Sequence, residues 1–196
     1  GQSPIDSSVV IVYFDNDAIS KLGGLPLKRN YYALVVDALH ELGAKVIGVD
    51  IGLSDPDREH PEYDNLLASI VKKSGNVVVS GYFQSLSDDT TLSIEANIND
   101  RVKKFAMGTC GPFALRQGHR LDAPYPELLG SAAGFGHTNL TEKFDVPLLI
   151  KVTNDQYLLC FGFAVAMAGL RNEQHASENI LADTLFPVSG MPNFSK

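Results

Sequence analysis

Tryptophan is absent, and cysteine occurs only twice, at Cys110 and Cys160. Two cysteines make neither a disulfide scaffold nor a zinc site, and they leave the redox compartment open, since they could pair or stay reduced. Basic clusters are also missing. Lys and Arg number 16 against 23 acidic residues, a net charge of −7, and adjacent basic residues occur only as pairs such as Lys72-Lys73 and Lys103-Lys104. Nucleic acid is therefore excluded as the main partner, because phosphate binding needs clustered cations. No apolar run reaches the ~20 residues of a membrane-spanning helix. The longest, Tyr157 to Leu170, is interrupted by Gly162 and Gly169 and reads as a buried core helix. No G-x-G-x-x-G follows the first apolar run and no G-x-S-x-G occurs, so neither a dinucleotide site nor a nucleophile elbow is indicated. The opening Gly-Gln-Ser reads as an expression scar, with residues 1–8 outside the domain.

What remains is an ordinary globular composition, 44% hydrophobic and 20% charged, enough for one well-buried domain. The first third reads as a βαβαβ array. Val9 to Phe14 is a β-branched run suited to a strand buried on both faces. A Gly- and Pro-containing loop, Leu22 to Leu27, follows it. Tyr31, Leu34, Val35, Ala38, Leu39 and Leu42 then recur at helical spacing, and Gly43 stands where a C-terminal cap belongs. Lys45 to Asp50 is the second strand. Tyr63, Leu66, Leu67, Ile70 and Val71 mark the next helix, ended by Gly75, and Asn76 to Phe83 is the third strand. Single helices between strands imply parallel pairing with right-handed crossovers.

Residues 84–122 form an excursion expected to hold short structure of its own. Pro126 suits the first turn of a helix through Leu128, Leu129, Ala132 and Ala133. Gly134 and Gly136 end it, and His137 to Leu140 reads as a short strand. Leu148 to Val152 and Tyr157 to Leu159 flank Asn154-Asp155 as a hairpin, before the buried helix. The expected fold is thus α/β, with a mostly parallel central sheet, helices on both faces, a C-terminal antiparallel hairpin and a buried helix. Residues 9–170 make one domain, and 171–196 form a polar C-terminal segment leading toward a membrane.

The most chemical feature is Asp15-x-Asp17 directly after an apolar run, because ligands in open α/β sheets gather at strand carboxyl ends. Asp50 ends the next strand, with Asp55 and Asp57 in the loop behind it. If the two strands are neighbours, up to five carboxylates share one rim, able to hold a hard cation or a cationic or polyhydroxylated ligand. The blander role for Asp15, Asp50 and Asp55 is to accept backbone N–H bonds from turns and helix starts. Arg29 beside that rim is either a structural ion pair or a fork for a ligand carboxylate or phosphate. His137 and Asn139 alternate along a strand and would point to one face. The tentative ligand-binding set is therefore Asp15, Asp17, Arg29, Asp50, Asp57, His137 and Asn139. No catalytic residue, metal ligand or cofactor is assigned. Asp-x-Asp also opens the signature of magnesium-dependent haloacid-dehalogenase-type phosphatases with Asp15 as nucleophile, but Ile19 stands where a hydroxyl is needed and no late acidic pair follows.

Four motifs in order resemble the type-2 CHASE domain, a family of bacterial extracytoplasmic sensors. They are Asp15-Asn16-Asp17-Ala18-Ile19-Ser20-Lys21-Leu22-Gly23, the Pro26-to-Arg29 lead-in, Leu42 to Ile51 continuing through Ser54-Asp55-Pro56-Asp57 to Asp64, and Pro124 to Leu129 continuing to Gly136-His137-Thr138-Asn139. The family's Asp-Gly turn and paired arginines after His-x-Asn are replaced here by Glu142-Lys143-Phe144-Asp145-Val146-Pro147. The resemblance implies a binding module, not an enzyme, held outside a bacterial membrane by flanking helices. It would pass a signal from a small-molecule or protein ligand to a cytoplasmic kinase or nucleotide cyclase. From that architecture a homodimer is expected. A purely structural ectodomain that pairs or binds a partner protein is a further alternative.

Overall fold

The structure, a computed structural model, describes residues 8–87, 100–108, 116–153 and 156–172. Its elements are α1 (Asn16–Lys21), α2 (Arg29–Glu41), β1 (Ile47–Val49), α3 (Pro61–Ser74), β2 (Val77–Ser87), α4 (Asp100–Lys103), β3 (Gln117–Asp122), α5 (Pro126–Ser131), β4 (Gly134–His137), β5 (Leu149–Thr153), β6 (Gln156–Leu159) and α6 (Phe161–Asn172). Local chemistry sets the two long helices. In α3, Pro61 occupies the first turn, Glu62 and Asp64 face the positive N-terminal dipole end, and Lys72 and Lys73 face the negative end. Gly75, at φ 68°, stops it in the left-handed conformation that a side chain disfavours, and Gly43, at φ 81°, does the same after α2.

The sheet is mixed and six-stranded, ordered β1-β2-β3-β5-β6, with β4 also on β2. Three pairings are parallel (β1–β2, β2–β4, β3–β5) and two antiparallel (β2–β3, β5–β6). Strand β2 is the hinge between two halves. Its first part, Val77 to Gly81, lies between β1 and β4, while Tyr82 to Ser87 run on to pair with β3. The excursion predicted for 84–122 therefore holds the end of β2, all of β3 and α4; residues 88–99 and 109–115 within it, including Cys110, lie outside the described residues. So do Asn154 and Asp155, where a hairpin turn was expected, residues 1–7 of the expected scar, and residues 173–196 of the expected C-terminal segment. Cys160 is unpaired among the described residues.

Side-chain alternation gives the sheet two different faces. Ile47, Val49, Val77, Val79 and Phe135 enter the main core with α2, α3 and α5 side chains such as Val36, Leu67, Val71, Leu128 and Leu129. The opposite face carries Gly48, Val78, Ser80, Gly134 and Gly136, which are register partners in neighbouring strands. These small residues let α6 lie close. A Cβ on Gly136 would stand 2.6 Å from Phe161 Cα and 2.9 Å from its nitrogen, and one on Gly48 would stand 3.1 Å from the Phe161 ring and Val165. The Gly136 obstacle is backbone and cannot rotate away, so Gly136→Ala must push α6 off the sheet. A loss of about 2 kcal/mol is expected in chemical denaturation, as for overpacked cores; an unchanged midpoint would show that α6 does not sit so close.

Three expectations from the sequence need correcting. Val9 to Phe14 form no strand: Val9 to Tyr13 are 54–83% exposed, and only Phe14 reaches the core. A β-branched run specifies a strand only when a neighbour takes up its backbone groups, and here β1 pairs with β2 alone among the described strands. The short strand lies at Gly134–His137, not at His137 to Leu140, because Gly134 and Gly136 permit close approach instead of ending a helix. The apolar stripe of α2 is also rotated: its buried residues are Tyr32, Ala33 and Val36, while Leu34 and Leu42 are exposed. In α3 the expected Leu67 and Val71 are buried and Ile70 packs against the core, whereas Leu66 is exposed and Asp64, Ala68 and Ser74 are buried beside them.

Candidate functional site

At the end of the apolar run, Asp15 adopts an extended conformation and accepts a hydrogen bond from the Ala18 N–H at 2.7 Å, capping α1. Asp17, in the first turn of the helix, pairs with Lys21 at 2.6 Å, with both side chains largely exposed. Asp50 is exposed just beyond β1. Asp57 accepts the backbone N–H groups of Glu59 (3.0 Å) and His60 (2.9 Å), turning the chain into α3. The His60 N–H contributes most to holding the Asp57 carboxyl below its ordinary range.

The loops converge on one buried ion pair. Arg29, at the start of α2, donates from Nη1 to Asp64 Oδ1 at 2.5 Å, with 12% and 9% of the two side chains exposed. Its Nη2 donates to the Asp55 carbonyl, and the guanidinium lies 4.8 Å from the centre of the Tyr125 ring. The second Asp64 oxygen accepts the Asp57 N–H at 2.7 Å. The Tyr125 hydroxyl donates to the Asp64 carbonyl at 2.9 Å, and the Tyr125 N–H donates to the Leu53 carbonyl at 2.8 Å. Burial, aided by the Asp64 charge, raises the Tyr125 phenol well above its usual range, so it remains a neutral donor. Four pieces of chain (the starts of α2 and α3, the β1–α3 loop and the lead-in to α5) are thus tied through three side chains, Arg29, Asp64 and Tyr125. Both Asp64 oxygens are engaged and Arg29 is spent on protein partners. This is a structural ion pair, the plainer of the two roles foreseen for Arg29. Asp64 is the residue missed among the candidates. The available signal was a carboxylate on the same helical stripe as Leu67, Ala68 and Val71, a position that demands a cation.

His137 and Asn139 do not share an open face. His137 ends β4 fully buried, with both ring nitrogens lacking a partner among the described residues, 6.4 Å from the Phe83 ring. The Pro147 carbonyl faces the ring without reaching hydrogen-bond geometry, and burial dominates, lowering the imidazole to about 4. It is therefore neutral at physiological pH. Asn139 lies past the strand and uses its amide as a substitute backbone. Its Oδ1 accepts from the Phe83 N–H at 2.8 Å and its Nδ2 donates to the Phe83 carbonyl at 2.7 Å. The Thr138 N–H satisfies the Gly81 carbonyl at 2.9 Å, so the Asn139 side chain extends the β4 ladder by two residues along β2.

Asp15, Arg29, Asp57 and Asn139 are thus engaged in holding local structure together, His137 is sealed inside, and Asp17 and Asp50 keep exposed carboxylates. Among the described residues no three His, Cys, Asp or Glu side chains gather into a group that could hold a metal ion. Among the described residues no strand precedes Asp15 to present it as a nucleophile, and no observation favours the phosphatase reading. No helix among the described residues is long and apolar enough to cross a membrane.

No curated protein and no solved structure gives a match to the chain. The family model described as the CHASE2 domain matches residues 1–194, nearly the whole sequence. With the motifs at Asp15, Arg29, Asp55 to Asp64 and Pro124 to Asn139 now joined in one fold, the chain belongs to the CHASE2 family of sensory domains of signal-transduction proteins.

Proposed function

We propose that the chain is the extracytoplasmic sensor of a membrane-bound bacterial signal-transduction protein and has no catalytic role of its own. The single observation that carries this is the family match over residues 1–194. In this reading, flanking segments anchor the domain in the membrane, and it works as a homodimer. A small-molecule or protein ligand then shifts the population between two arrangements of the pair, which a cytoplasmic kinase or nucleotide cyclase reads out. The Arg29–Asp64 cluster supports the mechanical half of the proposal, because it locks the starts of α2, α3 and α5 into one block able to move as a unit. Asp17 and Asp50 are the exposed carboxylates left to meet a ligand.

The location is tested by cysteine labelling of the full-length parent in intact cells. Cys110 and Cys160 are replaced by serine and alanine, and exposed Leu140 by cysteine. A membrane-impermeant maleimide is expected to label Leu140→Cys in whole cells. Labelling only after lysis would place the domain inside and remove the proposal.

A further inference from the structure

Three features of the fold are unsatisfied, and they meet at one edge. The first is Val9–Tyr13, five consecutive β-branched or aromatic residues, 54–83% exposed and in no strand or helix. So large an apolar run facing water marks a contact surface. The second is the outer edge of β1. The Ile47 N–H donates inward to the Asn76 carbonyl at 3.0 Å, so the backbone groups of Gly48, the next residue, point to the opposite side, where no described strand pairs. The third is one flank of α2. Asp37 is held by Lys73 of α3 at 3.1 Å and so marks the side facing α3. Tyr31, Val35 and Leu42 fall on the opposite side at helical spacing, Tyr31 and Val35 half-buried and Leu42 83% exposed. Since α2 packs on β1 and α3 on β2, that flank overhangs the open edge.

An open edge beneath an apolar helix flank fits a short apolar strand, and Val9–Tyr13 has the composition and length of one. Its root is fixed on its own domain, by Phe14 packed edge-on against Tyr32 at 5.7 Å and by Asp15 capping α1. From that root the five residues project away from their own core. We propose that two copies exchange these segments, Val9–Tyr13 of each pairing with the outer edge of β1 in the other, beneath Tyr31, Val35 and Leu42. The exchange is reciprocal, closes with two-fold symmetry and leaves neither edge open. It places the contact between copies immediately after the chain's first residues.

This inference specifies the interface of the homodimer proposed above and rests on it. The test is sedimentation velocity on the full chain from low to high micromolar concentration, for the wild type and for Val10→Lys/Val12→Lys. Hydrogen exchange of the wild type is followed in parallel. A wild-type dimer is expected, with the Val10 to Tyr13 amides protected in the dimer and unprotected on dilution to monomer. The charged variant should weaken association by at least ~100-fold, since each strand places lysines where apolar side chains would be buried. A dimer that persists in the folded variant, or a wild-type dimer with those amides unprotected, would refute strand exchange while leaving the dimer itself standing. A wild-type monomer at every concentration would remove both. Should the variant fail to fold, the wild-type exchange pattern decides alone.

Discussion

Asp64→Ala is expected to lower the unfolding free energy by about 3–5 kcal/mol, the range for removing one partner of a buried ion pair. The truncation strands the Arg29 guanidinium, 12% exposed, against the Tyr125 ring with only the Asp55 carbonyl to receive it. It also leaves the Asp57 N–H without its acceptor and so loosens the lead-in to α3. Arg29→Ala should cost a similar amount by stranding the carboxylate. The double variant Arg29→Met/Asp64→Leu should be markedly more stable than either single change, because it removes both charges and fills the space with apolar side chains. Urea denaturation of the wild type, Arg29→Met, Asp64→Leu and the double variant provides the cycle. Nearly additive losses would mean that the two side chains act independently, and the knot would then not be the clamp described above.

The second large effect is an acid-side loss of stability set by His137. Its imidazole is neutral in the folded domain, lowered to about 4 by burial, whereas in the unfolded chain it has the ordinary value near 6.5. Between those two values the unfolded state binds the proton and the folded state does not. Stability therefore falls as pH drops from 6.5 toward 4 and loses nothing more from this group below that. A shift of this size corresponds to ~3 kcal/mol across the window. The window lies above that of Asp57 and Asp100, whose carboxyls are held below their ordinary range in the fold and which destabilise the domain only as they protonate at lower pH. Denaturation midpoints at intervals from pH 7 to pH 4 should slope downward for the wild type. They should be flatter for His137→Leu, which removes the titrating group from the same apolar site. Equal slopes for the two proteins would contradict burial of a neutral imidazole.

Much of the framework was legible because it depends on local rules. Gly43 and Gly75 stand one helix-length after Arg29 and Pro61, and both adopt the left-handed conformation expected of a C-terminal glycine. The antiparallel β5–β6 pair likewise follows from two short apolar runs close together in sequence. What was not legible depends on partners distant in sequence. Nothing local shows that β2 outruns Phe83, because its second half exists only by pairing with Gln117 to Asp122. Gly134 and Gly136 read as helix terminators until α6, some 25 residues on, shows why a side chain is excluded there. The phase of α2 was misread because it is apolar around more of its circumference than its own core uses: Leu34 and Leu42 suggested the buried face, which the smaller Ala33 and Val36 in fact occupy beside Tyr32.

The candidate residues divide along the same line. Asp15 capping α1 and Asp57 turning the chain into α3 are short-range roles that Asp carries wherever it precedes a helix. Arg29 with Asp64 spans 35 residues, and Asn139 with Phe83 spans 56, so neither contact could be read without the fold. Grouping Asp15 with Asp50 assumed a first strand beside β1, and that is the assumption the exposed Val9–Tyr13 segment removes.

If, as proposed, this domain signals to a cytoplasmic partner, its folded state should set that partner's activity. The most direct measurement is output activity in membranes carrying the full-length parent, wild type against Arg29→Ala, at temperatures between the melting midpoints of the two domains. The two proteins are predicted to have equal output below both midpoints and to diverge in that interval, where only the variant domain has unfolded. Identical output throughout the interval would contradict a sensory role for residues 8–172.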